Sequence, residues 1–269
     1  MKFKQVLLAS DLDGTLLNDE RQISRENQQA LQYFAQNGGT FIIATGRAKG
    51  AAAHFLPHLP IDGHDSIILD GAMIYNYPQK QVKQVYTMPK VSLAMLTDVL
   101  HRFPHTAAEI YTGEQVYVLQ ENQITQDHFA TIKISYEKAD WAQLPPVSDW
   151  FKVNFTDDPE KLKPVKDYLD DVYGKDYSMV SSVNIFYEIT HPKATKGEAL
   201  RTVAQKEGKP YIYAIGDHFN DISMLEAATM SFAPANAQPL VRKKADQVVG
   251  ENNQHALRDV VVYLDEIYG

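Results

Sequence analysis

Four places in the 269-residue chain put chemically capable side chains directly after apolar runs. In VLLASDLDGTLL, Asp11 and Asp13 follow an apolar stretch and are trailed by Gly14 and Thr15. On extended backbone their carboxylates point to one side, roughly 7 Å apart at ~3.3 Å per residue. Gly14 permits a sharp turn there, and Thr15 adds a hydroxyl and a backbone donor. An isolated Asp-x-Asp-Gly string serves equally well as a solvated turn. In YIYAIGDHFNDISML, Gly216 reads as a turn and Asn220 or Asp221 as a helix N-cap, which leaves Asp217 with no capping job. In IIATGR, Thr45, Gly46 and Arg47 again follow a buried run, and alone they read as a helix start capped by Thr45. In ATKGEAL, Lys196 sits in the first turn of a helix, against the dipole. That misfit hints at a ligand, although a solvated lysine looks the same in a sequence.

The chemistry depends on whether these acids meet. If Asp11, Asp13, Asp217 and Asp221 converge, their repulsion raises several pKa values unless a cation is present. An all-oxygen cluster with no histidine at ligand spacing suits Mg²⁺, which keeps waters and takes one or two carboxylates plus a substrate phosphate.

Convergence requires a particular scaffold, and the chain alternates accordingly. QVLLAS, TFIIAT and SIIL are short continuous apolar runs, as in strands covered on both faces. Between them lie SRENQQALQYFAQNGG, a helix capped by Ser24 with a stripe at Ala30, Leu31 and Phe34, and the shorter AKGAAAHFL. Strand and helix in this rhythm predict a parallel sheet with right-handed crossovers. From about 78 to 190 the pattern changes to antiparallel α+β. YPQKQVKQVY suggests a hairpin and VSLAMLTDVLHRF an amphipathic helix. AEIYTGEQVYVL and FKVNFTDD alternate as half-exposed strands do, and PEKLKPVKDYLDDVYG is a helix bent or begun at Pro164. After THPKATKG the first rhythm returns. A helix spans 196–207, strands read at YIYAI, MSFA and DQVV, and helices at DISMLEAA and HALRDVVVYLDEIY.

The expected fold class is therefore α/β: a doubly wound, mostly parallel sheet core, with an inserted α+β domain. The core takes residues 1–80 and 190–269 and the insert 81–189. Parallel sheets bind ligands at the carboxyl ends of their strands, so the insert is expected to act as a lid. Within it Trp141, Trp150 and Lys152 are read as packing residues.

Composition narrows the function classes. A formal charge of −8 argues against nucleic acid or an anionic membrane as main partner, but leaves room for a small positive pocket. The absence of cysteine excludes disulfides, thiolate catalysis and zinc-cysteine sites. The apolar stretch 6–9 is too short for a signal peptide, and no window approaches a membrane span, so a soluble cytoplasmic protein is expected.

Taken together, the four strings resemble the haloacid dehalogenase superfamily of phosphatases. DLDGT matches its first motif, ATGR its second, Lys196 in TKG its third and GDHFND its fourth, in the right order. The long insert between the second and third motifs resembles the large cap of the Cof-type subfamily, which includes sugar-phosphate and other metabolite phosphatases. ILDGAMIYN and ANAQPLVRKKADQVV also fall where that subfamily carries related strings. The resemblance implies Asp11 as nucleophile and Asp13 as acid and then base. It implies Mg²⁺ held by Asp11, the Asp13 carbonyl and Asp217 with Asp221 close by, and Thr45 and Lys196 on the phosphoryl oxygens. It further implies Gly46 and Asn220 at the phosphoryl site and Arg47 pointing to cap and substrate. Two positions depart from the subfamily: Asp70 where asparagine is usual, and His218 where glycine is frequent.

The expected activity is Mg²⁺-dependent hydrolysis of a small phosphorylated metabolite. A phosphomutase or phosphotransferase would share the aspartyl-phosphate, and Asp13 does not separate them. A non-catalytic sensor or a receiver-like domain phosphorylated on Asp11 would need no leaving-group acid.

Overall fold

The structure, a computed structural model, describes residues 1–61, 63–113, 115–132, 134–181 and 183–269. In chain order the N-terminal elements are β1 (Val6–Ser10), α1 (Arg25–Gln36), β2 (Thr40–Ile43), α2 (Lys49–Ala53), β3 (Ser66–Ile68), β4 (Met73–Asn76) and β5 (Gln81–Val85). There follow α3 (Ser92–Arg102), β6 (Ala107–Tyr111), β7 (Val116–Leu119), α4 (Gln123–Ile132), β8 (Glu137–Lys138), β9 (Lys152–Thr156), α5 (Pro159–Tyr173), β10 (Ser178–Val180) and β11 (Phe186–Thr190). The last third holds α6 (Lys196–Glu207), β12 (Tyr211–Ile215), α7 (Ile222–Ala227), β13 (Met230–Pro234), α8 (Pro239–Lys244), β14 (Gln247–Val249) and α9 (Ala256–Tyr268).

The chain forms two compact units. One comprises Met1–Arg47, Ala52–Gln84 and Thr195–Gly269, the other Ala48–Ala51 and Val85–Ala194. In the first, the strand order β14-β13-β12-β1-β2 is parallel throughout. The chain leaves β1 toward β2 on one side and passes from β12 to β13 and β14 on the other. The strand order therefore reverses between β1 and β12, where open α/β sheets form their crevice. Alternate residues of each strand serve opposite layers. Leu7, Ala9, Ala214 and Ala233 join an apolar cluster with Leu200 and Val203 of α6 and Met224 of α7. Phe232 and Tyr213 instead meet Tyr263 and Tyr268 of α9.

The third predicted parallel strand is only partly one. β3 meets the main sheet through a single parallel bridge, Ala44 to Ile67, and otherwise pairs antiparallel with β4 in a three-stranded sheet that includes β5. The turn Leu69–Gly71 sends the chain back before the parallel ladder can lengthen.

In the second unit the sheet order is β10-β11-β9-β6-β7-β8, antiparallel except for β7 beside β8. Ala108, Ile110, Val153, Phe155 and Ile189 pack with the apolar stripes of α3 and α5 and with Trp150. Trp150 is thus core, whereas Trp141 is exposed.

Two expectations need correction. β6 and β9 are buried on both faces rather than half-exposed, because their polar side chains partner one another. Glu109 accepts from Tyr111, Asn154 and Thr156, and Lys152 donates to Glu188 at 2.9 Å. Polar alternation satisfied in this way is identical in sequence to alternation facing water. Helix α5 starts at Pro159 behind its Asp158 cap and runs through Pro164 without ending there, forgoing one intrahelical bond.

Candidate active site

The carboxyl ends of β1 and β12 place the first acids. The Asp11 amide donates to the Ile215 carbonyl at 3.0 Å, extending the β1–β12 ladder by one residue. Asp11 is therefore fixed by backbone pairing and is 7% exposed. Lys196 opens α6 behind Thr195, whose hydroxyl accepts from the Glu198 amide at 3.2 Å. Its ammonium is buried and donates to Asp11 Oδ1 and to Asp221 Oδ1, both at 2.6 Å. Burial works against that charge, yet Asp11 and Asp221, with Asp70 beyond them, hold the lysine well above its ordinary pKa. The dipole misfit of the sequence is resolved by these two carboxylates.

Asp221 is fully buried and uses both oxygens. Oδ1 takes Lys196, and Oδ2 accepts from the amides of Asp217 and His218 at 3.0 Å each. It stands at the expected N-cap position of α7, but its side chain makes no capping bond to that helix. His218 occupies the N-cap position for the turn Phe219–Asp221, and Asp221 reaches back to it from inside. Gly216 is required because a Cβ there would collide with the Asp221 carboxyl.

Asp217 accepts from the Thr15 hydroxyl at 2.8 Å, which joins the loop after β1 to the loop after β12. Gly14 has φ +75° and a Cβ on it would stand 2.5 Å from Asp217 Oδ2, so both conformation and space demand glycine. One oxygen from each of Asp11, Asp217 and Asp221 lies within 4.8 Å of the others. Burial, together with the charges of Asp221, Asp217 and Asp13, pushes Asp11 well up despite the opposing Lys196. Asp217 is pushed up to about 7 by burial and then by Asp221. Three converging oxygens with a surplus of negative charge fit a hard divalent cation, and the donor set contains only oxygen.

Asp13 stands apart from that cluster. Its carboxylate, half exposed, receives Nε and a terminal nitrogen of Arg47, each at 2.6 Å, in a two-pronged ion pair. The Arg47 guanidinium also lies over the Phe55 ring at 4.9 Å. Arg47 is thus taken up by Asp13 in this structure. Thr45 is buried at the end of β2, and its hydroxyl accepts from the Arg47 amide at 3.2 Å. It caps that local turn and not α2, which begins only at Lys49. Gly46 packs against Asp70, whose Oδ1 would lie 2.9 Å from a Cβ there. Asp70 is 4% exposed and accepts from Asn220 Nδ2 at 2.9 Å.

The predicted residues thus fall into two hydrogen-bonded groups in the first unit: Asp11, Lys196, Asp221 and Asp217 in one, and Asp13, Arg47, Thr45, Asp70 with Gly46 against it, and Asn220 in the other, with the Asp70 charge felt at Lys196. Sequence reasoning understated two residues and missed a third. Thr15 orients Asp217, Asp70 ties Asn220 to the Gly46 loop, and Asn236 donates to the Gly14 carbonyl at 2.8 Å. Thr15 and Asp70 lay inside quoted strings, whereas Asn236 carries no signal beyond a loop position after β13.

The chain resembles known proteins along nearly its whole length. A family model for haloacid dehalogenase-like hydrolases matches residues 8–261. The chain is 28% identical to Phosphatase YwpJ of Bacillus subtilis, over 96% of this chain and 99% of that one. It is 26% identical to Pyridoxal phosphate phosphatase YbhA of Escherichia coli, over 95% of this chain and 97% of that one. A solved haloacid dehalogenase-like hydrolase from B. subtilis superposes with a TM-score of 0.82 at 26% identity, covering 96% of this chain and 99% of that chain. With the acids and lysine gathered at the strand reversal and the match spanning nearly the whole length, the chain belongs to the haloacid dehalogenase-like hydrolases.

Proposed function

We propose that this protein is a Mg²⁺-dependent phosphatase of small phosphorylated metabolites that works through an aspartyl-phosphate on Asp11. The phosphatase activity is that of its relatives. The observation that carries the finer reading is the buried group in which Lys196 bridges Asp11 and Asp221 while Asp217 adds a third convergent oxygen. Asp11, the Asp13 carbonyl and Asp217 would hold the cation, with Asp221 fixing Lys196 and the loop amides beside them. The bound cation supplies charge neutralisation at the phosphoryl oxygens.

Each residue then has a definable task. An Asp11 oxygen forms the bond to phosphorus as the ester P–O bond breaks, and Asp13 delivers its proton to the departing oxygen. In the second half Asp13 accepts a proton from water, whose oxygen attacks phosphorus and frees Asp11 with release of phosphate. Lys196 and the Thr45 hydroxyl offset charge on the transferred oxygens. Arg47 holds Asp13 in place before substrate arrives. The second compact unit is the proposed source of selectivity for the rest of the ester.

A p-nitrophenyl phosphate assay with and without Mg²⁺ tests this. Turnover that needs Mg²⁺ and disappears in Asp11→Asn is expected. Equal turnover in Asp11→Asn removes the nucleophile, and tight phosphate binding with no turnover favours the sensor.

A further inference from the structure

The turn Leu69–Gly71 is a strained connection with three successive positive φ values, +50°, +56° and +94°. Only the last belongs to a glycine, and leucine in this region is costly. The turn is held because it knits the proposed phosphoryl-binding segments together. The Leu69 amide donates to the Arg47 carbonyl and the Asp70 amide to the Thr45 carbonyl, both at 3.1 Å. A Cβ on Gly71 would strike the Thr195 carbonyl, next to Lys196. The Asp70 carboxylate lies against Gly46, holds Asn220, and adds to the negative field around Lys196.

A carboxylate at this junction has two effects. An ionised carboxylate only accepts, so the Asn220 amide must present Nδ2 to it. Its Oδ1, buried, has no hydrogen-bond partner among the described residues. Asn220 therefore commits one of its two amide N–H donors to Asp70 and is fixed with its carbonyl oxygen, of the wrong polarity for a phosphoryl oxygen, as the unpaired atom. Asp70 also sets a negative charge beside a pocket for a dianion.

We propose that Asp70 is a positioning residue that lowers the affinity of the site for inorganic phosphate, by fixing the orientation of the Asn220 amide and by its own charge, and so speeds product release. This rests on the phosphatase reading. Affinity lost equally from substrate and product is uniform binding, which raises KM while relieving product inhibition.

The test is Asp70→Asn, a near-isosteric change that tolerates the left-handed backbone and can donate or accept. Calorimetric titration of inorganic phosphate into the Mg²⁺-loaded full chain should show binding about tenfold tighter in the variant, the size of one added hydrogen bond to a charged group. Steady-state kinetics should show lower KM and stronger inhibition by phosphate. Structural damage loosens a site, so tightening cannot come from it. If Asp70→Asn melts early, Asp70→Ser must move the same way. Phosphate affinity that is unchanged or weaker in a folded variant, with wild-type turnover of p-nitrophenyl phosphate intact, overturns this proposal alone. A wild type that never hydrolyses that ester overturns the phosphatase reading and this one with it.

Discussion

Asp217 and Asp13 end neighbouring segments of one site but are prepared for different work. Asp217 is pushed up to about 7 by burial and Asp221, so the metal-free protein keeps much of its proton at pH 6. A cation needs the carboxylate, and the proton competes with it. Apparent Mg²⁺ affinity should therefore fall as pH drops below about 7, by up to roughly tenfold per unit, and level off above that. Calorimetry in buffers of different ionisation heat checks it, since binding near pH 6 should release protons. Stability follows the same sign. The folded pKa lies above the ordinary 3.8, so in metal-free protein this group's contribution declines as pH rises from about 4 to about 7. Asp13, by contrast, is half exposed and is gripped in place by both prongs of Arg47. Asp13→Ala should leave the Mg²⁺ titration unchanged and lower turnover by about 10²–10⁴-fold. With p-nitrophenyl phosphate, whose leaving group needs little help, one equivalent of nitrophenol should appear in a burst before the slow phase. A linear time course without a burst argues against Asp13 as the base of the second step.

At the scale of elements, the loops after β1 and β12 are shaped by one contact that two glycines expose by contrast. Gly14 has φ +75° and its missing Cβ makes room for Asp217, whereas Gly208 has φ +63° at the end of α6 with open space around it. Gly208→Ala should cost about 1–2 kcal/mol, the left-handed penalty, with normal turnover. Gly14→Ala should carry that penalty and also displace Asp217, weakening Mg²⁺ affinity as well as lowering the melting temperature. Equal Mg²⁺ affinity in the two variants would deny the contact its role. The same contrast explains what was legible in the sequence. β1, β2 and β12 are continuous apolar runs, and Ser24 and Gly208 bound their helices as local chemistry dictates. β3 resembled its parallel neighbours because a run of three apolar residues does not say how many of them pair with β2. The acids and Lys196 could be named because each follows a strand or opens a helix. Thr15, Asp70 and Asn236 owe their roles to partners 202, 150 and 222 positions away, and a single sequence carries no trace of such proximity.

Across the whole molecule, two compact units hold charge in opposite ways. In the first, Asp11 and Asp221 share the Lys196 ammonium and Asp217 adds a third carboxylate close to theirs. In the second, Glu109, Asn154 and Glu188 lie side by side on β6, β9 and β11, and Lys152 neutralises Glu188 within the protein. Burial raises the Glu109 pKa against the hydrogen bonds from Tyr111, Thr156 and Asn154, so this face too is costly to bury. Breaking a buried pair from one side strands the other charge, at about 3–5 kcal/mol. Each unit also carries its own apolar cluster, so the two should report separately on heating. Scanning calorimetry is expected to resolve two transitions. Mg²⁺ at about 100 times its dissociation constant should add roughly 2.7 kcal/mol to the unit holding Asp11 and Asp217 and leave the other in place. Lys152→Met should do the reverse, lowering only the transition that Mg²⁺ does not move. If Mg²⁺ and Lys152→Met shift one and the same transition, the units unfold as one. The stabilities of cation site and polar sheet face would then have evolved as a single quantity, and the independence argued from their separate cores would fail.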